Sequence, residues 1–234
     1  MKGITTIMTN LQLVIFDMDG VMFDTERLFK SAYRKFGKIN GYEFSDEIFE
    51  KITGASSKAA RRTFFNAFGK DFPYEEAVAY REKSAHDIIE NRGIPIKYGL
   101  MNIIAFLKKN NIKIAVASSS KMINIKYNLQ KAAVRNINFI ISGEDIKESK
   151  PNPEIFLKCC EKFNISPNNT IVLEDSLNGI KAALSAKIKP IWIPDLINIP
   201  DEFMSKIFAK ADNLIQVIDI IQENFNTKKL RRVG

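Results

Sequence analysis

The sequence is poor in the residues that form disulfides and transition-metal sites. Its 234 residues include two cysteines and one histidine. Cys159 and Cys160 are adjacent, which is a poor arrangement for a structural disulfide and is not a metal-ligand spacing. We predict that both are reduced helix residues. His86 falls in a segment with a helical pattern, and we interpret it as a surface residue rather than a catalyst.

Long apolar runs are also missing. No stretch near the N-terminus approaches the length of a signal peptide or a membrane span, because MKGITTIMTN is interrupted by threonine and asparagine. Internal repeats and low-complexity segments are not found either. We therefore expect a cytoplasmic protein with no membrane partner, and we treat a monomer as the default.

Acidic residues are outnumbered by basic ones. The chain has 35 lysines and arginines against 27 aspartates and glutamates, a formal net charge of +8. Such a charge fits a nucleic-acid or membrane partner, an anionic small substrate, or solubility alone. The densest basic runs, SSKAARR (56 to 62) and KKLRRVG (228 to 234), contain no aromatic residues that could stack on bases. We expect no nucleic-acid partner and interpret the tail as a solvated end.

Beyond residue 95 the chain alternates between strand and helix patterns. In LMNIIAFLKK, Leu100, Ile103, Ile104 and Leu107 have the spacing of one helix face. The predicted strands that follow are IKIAVASSS, NFIISGED, TIVLED and, as the last strand, KPIWIPD. The predicted helices between them are residues 121 to 131, PEIFLKCCEKF and SLNGIKAALSA. Strands that alternate with helices of about ten residues indicate βαβ units and a parallel sheet.

Residues 26 to 92 have a different pattern. Aromatic and charged residues recur there at helical spacing, with Phe29, Tyr33 and Phe36 on one stripe, and no convincing strand is found. Before this block stands the apolar run Leu13 to Phe16, which is typical of a strand buried on both faces. An all-helical block therefore interrupts an α/β domain after its first strand.

Two aspartates end that first strand, in QLVIFDMDGVMFDTE (12 to 26). Residues i and i+2 of an extended chain point the same way, so Asp17 and Asp19 can direct their carboxylates at one point, and Gly20 lets the chain turn. Two such carboxylates repel each other unless a cation or a proton lies between them. The sequence therefore predicts a bound ligand. Further along, Asp24 is a candidate cap for the next helix.

Polar residues also follow other predicted strands. The serine run 118 to 120 ends IKIAVASSS, and Glu174 and Asp175 end TIVLED. In an open parallel sheet, ligands bind in the crevice beyond the carboxyl ends of the strands, so these residues are expected to converge with the two aspartates. The loop in ESKPNPEIF, which its prolines make stiff and extended, adds Lys150.

These groups together fit phosphate chemistry. The carboxylates of Asp17, Glu174 and Asp175 supply the hard oxygens that Mg²⁺ prefers, and Mg²⁺ completes its shell with waters and a substrate phosphate. Ser118 and the backbone N–H of Ser119 are expected where a strand meets a helix N-terminus, which favours anions. The lysine adds a positive charge. Phosphoryl transfer depends on this kind of positioning and charge neutralisation.

Four motifs together resemble those of the haloacid dehalogenase (HAD) superfamily. They are DMDG, the serine that ends IAVAS, SKPNPEIF and LEDSLNGI, and they occur in the family order. More narrowly, FDMDGVMFDTE with SKPNPEIF and EDSLNGI is similar to the β-phosphoglucomutase-like phosphatases. The resemblance implies an α/β fold, with a Rossmann-like parallel-sheet core flanked by helices (1 to 25 and 95 to 234) and an all-α cap (26 to 94) inserted after the first strand.

The resemblance also implies a mechanism. Asp17 is expected to be the nucleophile that forms an aspartyl-phosphate. Asp19 is expected to be the general acid and then the general base, with its backbone carbonyl on Mg²⁺. Asp175 is expected to be the other protein ligand of the metal, and Glu174 either a ligand or the partner of one. The residues expected to bind the phosphoryl group are Ser118, Ser119 and Lys150.

More than one activity stays open. Family mutases use a histidine after the DT element and an arginine in the cap loop, and this chain has Phe29 and Ser57 there. Basic residues that could replace the arginine follow nearby: Lys58, Arg61 and Arg62. We expect a Mg²⁺-dependent phosphohydrolase of a small phosphorylated metabolite, with sugar phosphates first by resemblance. A β-phosphoglucomutase-type mutase is the alternative, and a non-catalytic phosphate- or nucleic-acid-binding protein a further one.

Overall fold

The computed structural model describes residues 10 to 55 and 57 to 227, so the basic tail lies outside the described residues. Six parallel strands form one sheet in the order β3-β2-β1-β4-β5-β6. The strands are β1 Leu13–Phe16, β2 Lys113–Ala117, β3 Phe139–Ile141, β4 Thr170–Glu174, β5 Lys189–Trp192 and β6 Ala209–Lys210. This parallel sheet, with helices on both faces, confirms the predicted α/β fold class.

Four helices lie between β1 and the rest of the α/β pattern: α1 Thr25–Asn40, α2 Asp46–Ile52, α3 Ser57–Phe68 and α4 Tyr74–Arg92. The helices that follow are α5 Leu100–Lys109, α6 Met122–Lys131, α7 Glu154–Phe163, α8 Leu177–Ser185, α9 Asp201–Met204 and α10 Leu214–Asn224. Within the described part of the chain, no helix is both long enough and apolar enough to cross a membrane.

The strand register brings the carboxyl ends of the central strands to one level. Phe16, the last residue of β1, pairs with Val116 of β2 and with Leu173 of β4. The residues that directly follow these three strands therefore lie side by side at one edge of the sheet.

The prediction of the last strand is wrong in one respect. KPIWIPD contains β5 as expected, but β6 follows it and pairs Ala209 with Ile191 and Lys210 with Trp192. A strand of two residues is too short to show the alternation by which strands are identified in a sequence.

The apolar strand β1 divides its side chains between two cores. Val14 and Phe16 belong to the larger core on one face of the sheet, and Leu13 and Ile15 to the core on the other. All four are fully buried, as the continuous apolar run predicts. The two cysteines lie unpaired and buried in α7, which confirms that they are reduced helix residues.

Helices α1 to α4 form a helical insertion with an aromatic core of its own. Tyr33 and Phe36 of the predicted stripe are buried in it, whereas Phe29 is only half-buried. Phe44 and Phe64 pack at 5.5 Å between ring centres, in the edge-on geometry that aromatic pairs favour. The insertion buries its own apolar side chains, and this packing explains why the block of helical patterns in the sequence forms a unit. The exact division into core and cap stays a prediction.

Two chain segments connect the insertion to the sheet domain, and they bind each other. The N–H of Asp24 donates to the carbonyl of Pro95 at 2.9 Å, and the N–H of Lys97 donates to the carbonyl of Met22 at 3.0 Å. The chain therefore enters and leaves the insertion at one place.

Candidate active site

The candidate site lies at the carboxyl ends of β1, β2 and β4. Backbone hydrogen bonds continue just past the strands: the N–H of Asp17 donates to Leu173 at 2.9 Å, and the N–H of Ser118 donates to Ile141 at 3.1 Å. Sheet-type hydrogen bonding therefore continues one residue past β1 to Asp17, and the chain bends at Met18 before Asp19.

Lys150 joins two of the predicted acidic residues. Its side chain is buried, and its Nζ donates to Oδ1 of Asp17 and, at 2.7 Å, to Oε1 of Glu174. The other oxygen of Glu174 accepts the N–H and the hydroxyl of Ser176, both at 2.9 Å. Both carboxylate oxygens of Glu174 are therefore engaged by the protein. Asp17 is the second carboxylate that contacts the lysine.

The site carries more negative charge than its lysine balances. Burial raises the pKa of Asp17 to about 8, although the Lys150 cation opposes this rise. Burial also raises the pKa of Asp175 well above its usual value, and the charges of Glu174 and Asp17 add to the effect. Burial alone would lower the pKa of Lys150, but its two carboxylate partners outweigh burial and raise it, so the lysine stays charged.

A glycine brings Asp175 close to the turn after Asp19. Gly20 has a φ of +85°, and a Cβ placed on it would lie 2.1 Å from Oδ2 of Asp175. Only glycine fits here, because it has no Cβ and adopts positive φ without strain. The Asp175 carboxylate therefore lies directly against this backbone turn.

The donor set fits Mg²⁺. Among the residues that the structure describes, no three His, Cys, Asp or Glu side chains meet as metal ligands. Mg²⁺ does not need three, because it binds through one or two carboxylates, with waters and substrate phosphate completing the octahedron. The surplus negative charge around Asp17 and Asp175 is the electrostatic feature that such a cation would neutralise.

Hydroxyl groups surround the carboxylate of Asp19. Thr25 donates to Oδ1 at 2.5 Å, and Ser120 donates to Oδ2 at 2.8 Å. Ser118 lies 3.4 Å from the same Oδ2. Neither Thr25 nor Ser120 was identified from the sequence as a partner of Asp19. The only signal was the position of Ser120 in the serine run at the end of β2.

The serine run forms a loop and does not belong to a helix. Helix α6 begins at Met122, so Ser118 and Ser119 stand before the helix N-terminus and not in its first turn. The loop packs closely against Gly143, where a Cβ would lie 2.7 Å from the carbonyl oxygen of Ser119. The predicted strand-to-helix junction is present, but the serines are held by loop contacts.

The proposed cap of α1 is wrong. The Asp24 carboxylate makes no capping hydrogen bond and instead pairs with Arg27. Arg27 also donates to Oδ1 of Asp195 at 2.7 Å, and Lys97 donates to the same oxygen at 2.6 Å. The side chain of Asp195 is buried, and the residue follows β5. It therefore links the first helix of the insertion to the segment that leads back to the sheet domain, a role that the sequence did not reveal.

A cavity of about 680 Å³ extends from the strand ends to the helical insertion. Phe29 and Ser57, the positions where family mutases have histidine and arginine, both line it. Arg81 of α4 lies over the Phe29 ring at 4.8 Å and donates to the hydroxyl of Tyr33 at 3.3 Å. The cavity therefore combines a polar floor with an insertion wall that carries aromatic rings and a cation.

Two further titratable residues line the cavity. His86 has a side chain that is 55% exposed, which agrees with its interpretation as a surface residue, and it stacks on Tyr127 of α6 at 4.8 Å. Glu26 lies in the first turn of α1. Burial raises its pKa to about 8, the charge of Asp19 adds to this rise, and the cation of Arg81 opposes it.

Comparison with known proteins identifies the family. Residues 14–193 match the model of the haloacid dehalogenase-like hydrolases, and the chain therefore belongs to this family. A phosphorylated carbohydrates phosphatase from Thermotoga maritima is 28% identical over 186 residues, which cover 78% of this chain and 84% of that protein. A probable pseudouridine-5'-phosphatase from Drosophila melanogaster is 29% identical over 188 residues, covering 77% and 80%.

A solved structure extends the similarity to nearly the whole chain. The crystal structure of β-phosphoglucomutase from Clostridium difficile superposes with a TM-score of 0.75 at 29% identity, covering 92% of this chain and 97% of that one. The resemblance identified from the four motifs is confirmed. Family and relatives together make the chain an enzyme of the HAD-like phosphatase class.

Proposed function

We propose that the chain hydrolyses the phosphate monoester of a small phosphorylated metabolite, with Mg²⁺ as cofactor and an aspartyl-phosphate on Asp17 as intermediate. The observation that carries this proposal is the pairing of Asp17 with the buried Lys150, beside an Asp19 carboxylate that hydroxyl groups hold in place. One carboxylate is thus oriented as a nucleophile, and the other is placed for proton transfer.

In this proposal the two aspartates have different tasks. An oxygen of Asp17 attacks phosphorus, while Lys150 orients that carboxylate and, together with the bound metal, favours its ionised form. Asp19 gives a proton to the leaving oxygen and later takes one from the attacking water. Ser118, the backbone N–H of Ser119 and Lys150 bind the phosphoryl oxygens and stabilise the charge that spreads over them.

The metal would be held by Asp17, the backbone carbonyl of Asp19 and Asp175. When bound, Mg²⁺ supplies positive charge to the phosphoryl oxygens and neutralises the two buried carboxylates. Glu174 is not assigned as a metal ligand, because Lys150 and Ser176 engage both of its oxygens. We therefore assign Glu174 to holding the lysine.

The cavity wall favours a phosphatase over a mutase. A mutase must protonate and reorient a bound intermediate, and Phe29 offers no titratable group where family mutases have histidine. Sugar phosphates are the proposed substrate class, because the cavity has a volume of about 680 Å³ and a relative is named for phosphorylated carbohydrates. We further propose that the protein acts as a cytoplasmic monomer without a nucleic-acid partner.

The test is phosphate release from a panel of sugar phosphates, nucleotides and short-chain phosphates, with Mg²⁺ and with EDTA. Conversion of β-glucose 1-phosphate to glucose 6-phosphate is measured in parallel. We expect phosphate release from a few sugar phosphates that EDTA abolishes. Isomer formation without phosphate release would support the mutase instead. Tight, salt-sensitive nucleic-acid binding without turnover would contradict both.

A further inference from the structure

Two parts of the chain hold the Asp19 carboxylate. Thr25, the first residue of α1, donates to Oδ1 at 2.5 Å, and Ser120 of the loop after β2 donates to Oδ2 at 2.8 Å. Ser118 is also near Oδ2, but its 3.4 Å distance is at the limit of a hydrogen bond. Of the two serines, Ser120 therefore makes the firm contact with Asp19, which leaves the Ser118 hydroxyl available for another partner.

The Ser120 hydroxyl is held in place by its own loop. The backbone N–H of Ser120 donates to Oγ of Ser118 at 3.0 Å, and its carbonyl accepts from the N–H of Gly143 at 3.4 Å. Gly143 has no side chain, which allows this segment to pack directly against the serine loop. The contact with Asp19 is thus built into the sheet domain and does not depend on the helical insertion, unlike the contact from Thr25.

We infer that Ser120 is a positioning residue that orients Asp19 for both proton transfers of the reaction. A serine hydroxyl can donate and accept hydrogen bonds. It donates to Oδ2 while Asp19 is ionised and takes a proton from water. It can still donate to the carboxyl group when Asp19 carries the proton, so the acidic proton stays directed at the ester oxygen. The inference rests on the proposed function.

The proton balance leaves Ser120 unchanged. In the first half-reaction a bond forms between Asp17 and phosphorus, the ester bond breaks, and the proton of Asp19 goes to the ester oxygen. In the second, the oxygen of water bonds to phosphorus, the Asp17 bond breaks, and Asp19 takes the proton of that water. Ser120 only fixes the direction of Asp19 in each step.

The test compares two leaving groups. The value of kcat/KM reports the first half-reaction, in which an alkyl phosphate needs the acid but p-nitrophenyl phosphate needs it little. For Ser120→Ala we expect kcat/KM to fall about tenfold for the best alkyl phosphate, the effect of one ordinary hydrogen bond. For p-nitrophenyl phosphate we expect an unchanged kcat/KM. Ser120→Thr, which keeps the hydroxyl, should restore most of the loss.

Ser31→Ala is the matched control, because Ser31 is an exposed serine of α1. Its kinetics should equal those of the unmodified protein, and thermal melting should show that every variant is folded. An equal fall for both substrates would overturn the inference, because Ser120 would then act on phosphate binding or on the nucleophile. No change in Ser120→Ala would overturn it as well. Failure of the unmodified protein to hydrolyse either substrate would instead contradict the proposed function, and the inference with it.

Discussion

Nζ of Lys150 lies 2.7 Å from Oε1 of Glu174, and both side chains are buried beneath the candidate site. Glu174 is in turn fixed by the N–H and the hydroxyl of Ser176. The lysine therefore cannot turn away from the strand ends, and its charge stays beside Asp17. A flexible surface lysine could bind phosphate, but it could not also orient the nucleophile.

The first prediction concerns this buried pair. Glu174→Gln removes the charge of Glu174 and leaves the Lys150 cation with one carboxylate where it had two. Removing one partner of a buried ion pair costs about 3 to 5 kcal/mol, and we expect a loss near the lower figure because Asp17 remains. Phosphatase activity should fall strongly, since Lys150 loses one of the two carboxylates that fix its position. Urea unfolding and kinetics measure the two effects.

Glu47→Gln is the control for that variant. Glu47 is exposed in the first turn of α2, so neutralising it should change neither stability nor activity noticeably. Full activity and unchanged stability in Glu174→Gln would show that Lys150 is not held in the way described here.

A second prediction separates two glycines that both have positive φ. Gly20→Ala and Gly41→Ala each place an alanine in the left-handed region, which costs about 1 to 2 kcal/mol. At Gly41 the new Cβ would meet nothing within 4 Å, whereas at Gly20 it would lie 2.1 Å from Oδ2 of Asp175. We expect both variants to lose stability, and only Gly20→Ala to lose phosphatase activity. Equal activity in the two variants would argue against a functional position for Asp175.

The third prediction concerns Asp195, which joins α1 to the segment that leads from the insertion back to the sheet domain. Asp195 accepts from Arg27 and Lys97 with a side chain that is only 1% exposed. Asp46 also accepts from two cations, Lys30 and Arg34, but its side chain is 68% exposed.

We expect Asp195→Asn to lower the free energy of unfolding by about 2 kcal/mol, because the buried hydrogen bonds from two cations lose their charged acceptor. Asp46→Asn should have a much smaller effect, since water replaces exposed ion pairs at little cost. Chemical denaturation of both variants makes the comparison. If the two variants are equally stable, the contacts of Asp195 do not contribute more to the free energy of unfolding than the exposed ion pairs of Asp46.

The fourth prediction concerns the metal. EDTA should abolish phosphate release and added Mg²⁺ should restore it. Asp175→Asn should need a much higher Mg²⁺ concentration for half-maximal activity, because a neutral amide binds this cation more weakly than a carboxylate. Asp71→Asn, at an exposed position, should keep the normal requirement. An unchanged Mg²⁺ requirement in Asp175→Asn would exclude Asp175 as a ligand.

The parts of the site that could be predicted from the sequence are those that strand topology fixes. Asp17 and Glu174 directly follow or end buried apolar strands, and parallel register brings such positions together whatever the loops do. Lys150 could be predicted through its motif, although its simultaneous contacts with Asp17 and Glu174 could not.

Other features depend on contacts between distant segments, for which no local pattern exists. Ser120 lies in the loop after β2 and Thr25 at the start of α1, and both contact the Asp19 carboxylate only in the folded structure. Asp195 resembles any loop aspartate in the sequence. The two residues of β6 pair with β5 through tertiary packing and not through intrinsic strand preference.

The most direct test of the central claim is to trap the intermediate. Asp19→Asn should form the aspartyl-phosphate from p-nitrophenyl phosphate but hydrolyse it slowly, because no general base activates the water. Acid quenching and peptide mass spectrometry should then find one phosphoryl group on Asp17, and none when Asp17→Asn is added. Hydrolysis without a phosphorylated Asp17, or a phosphoryl group on another residue, would contradict the mechanism proposed for this chain.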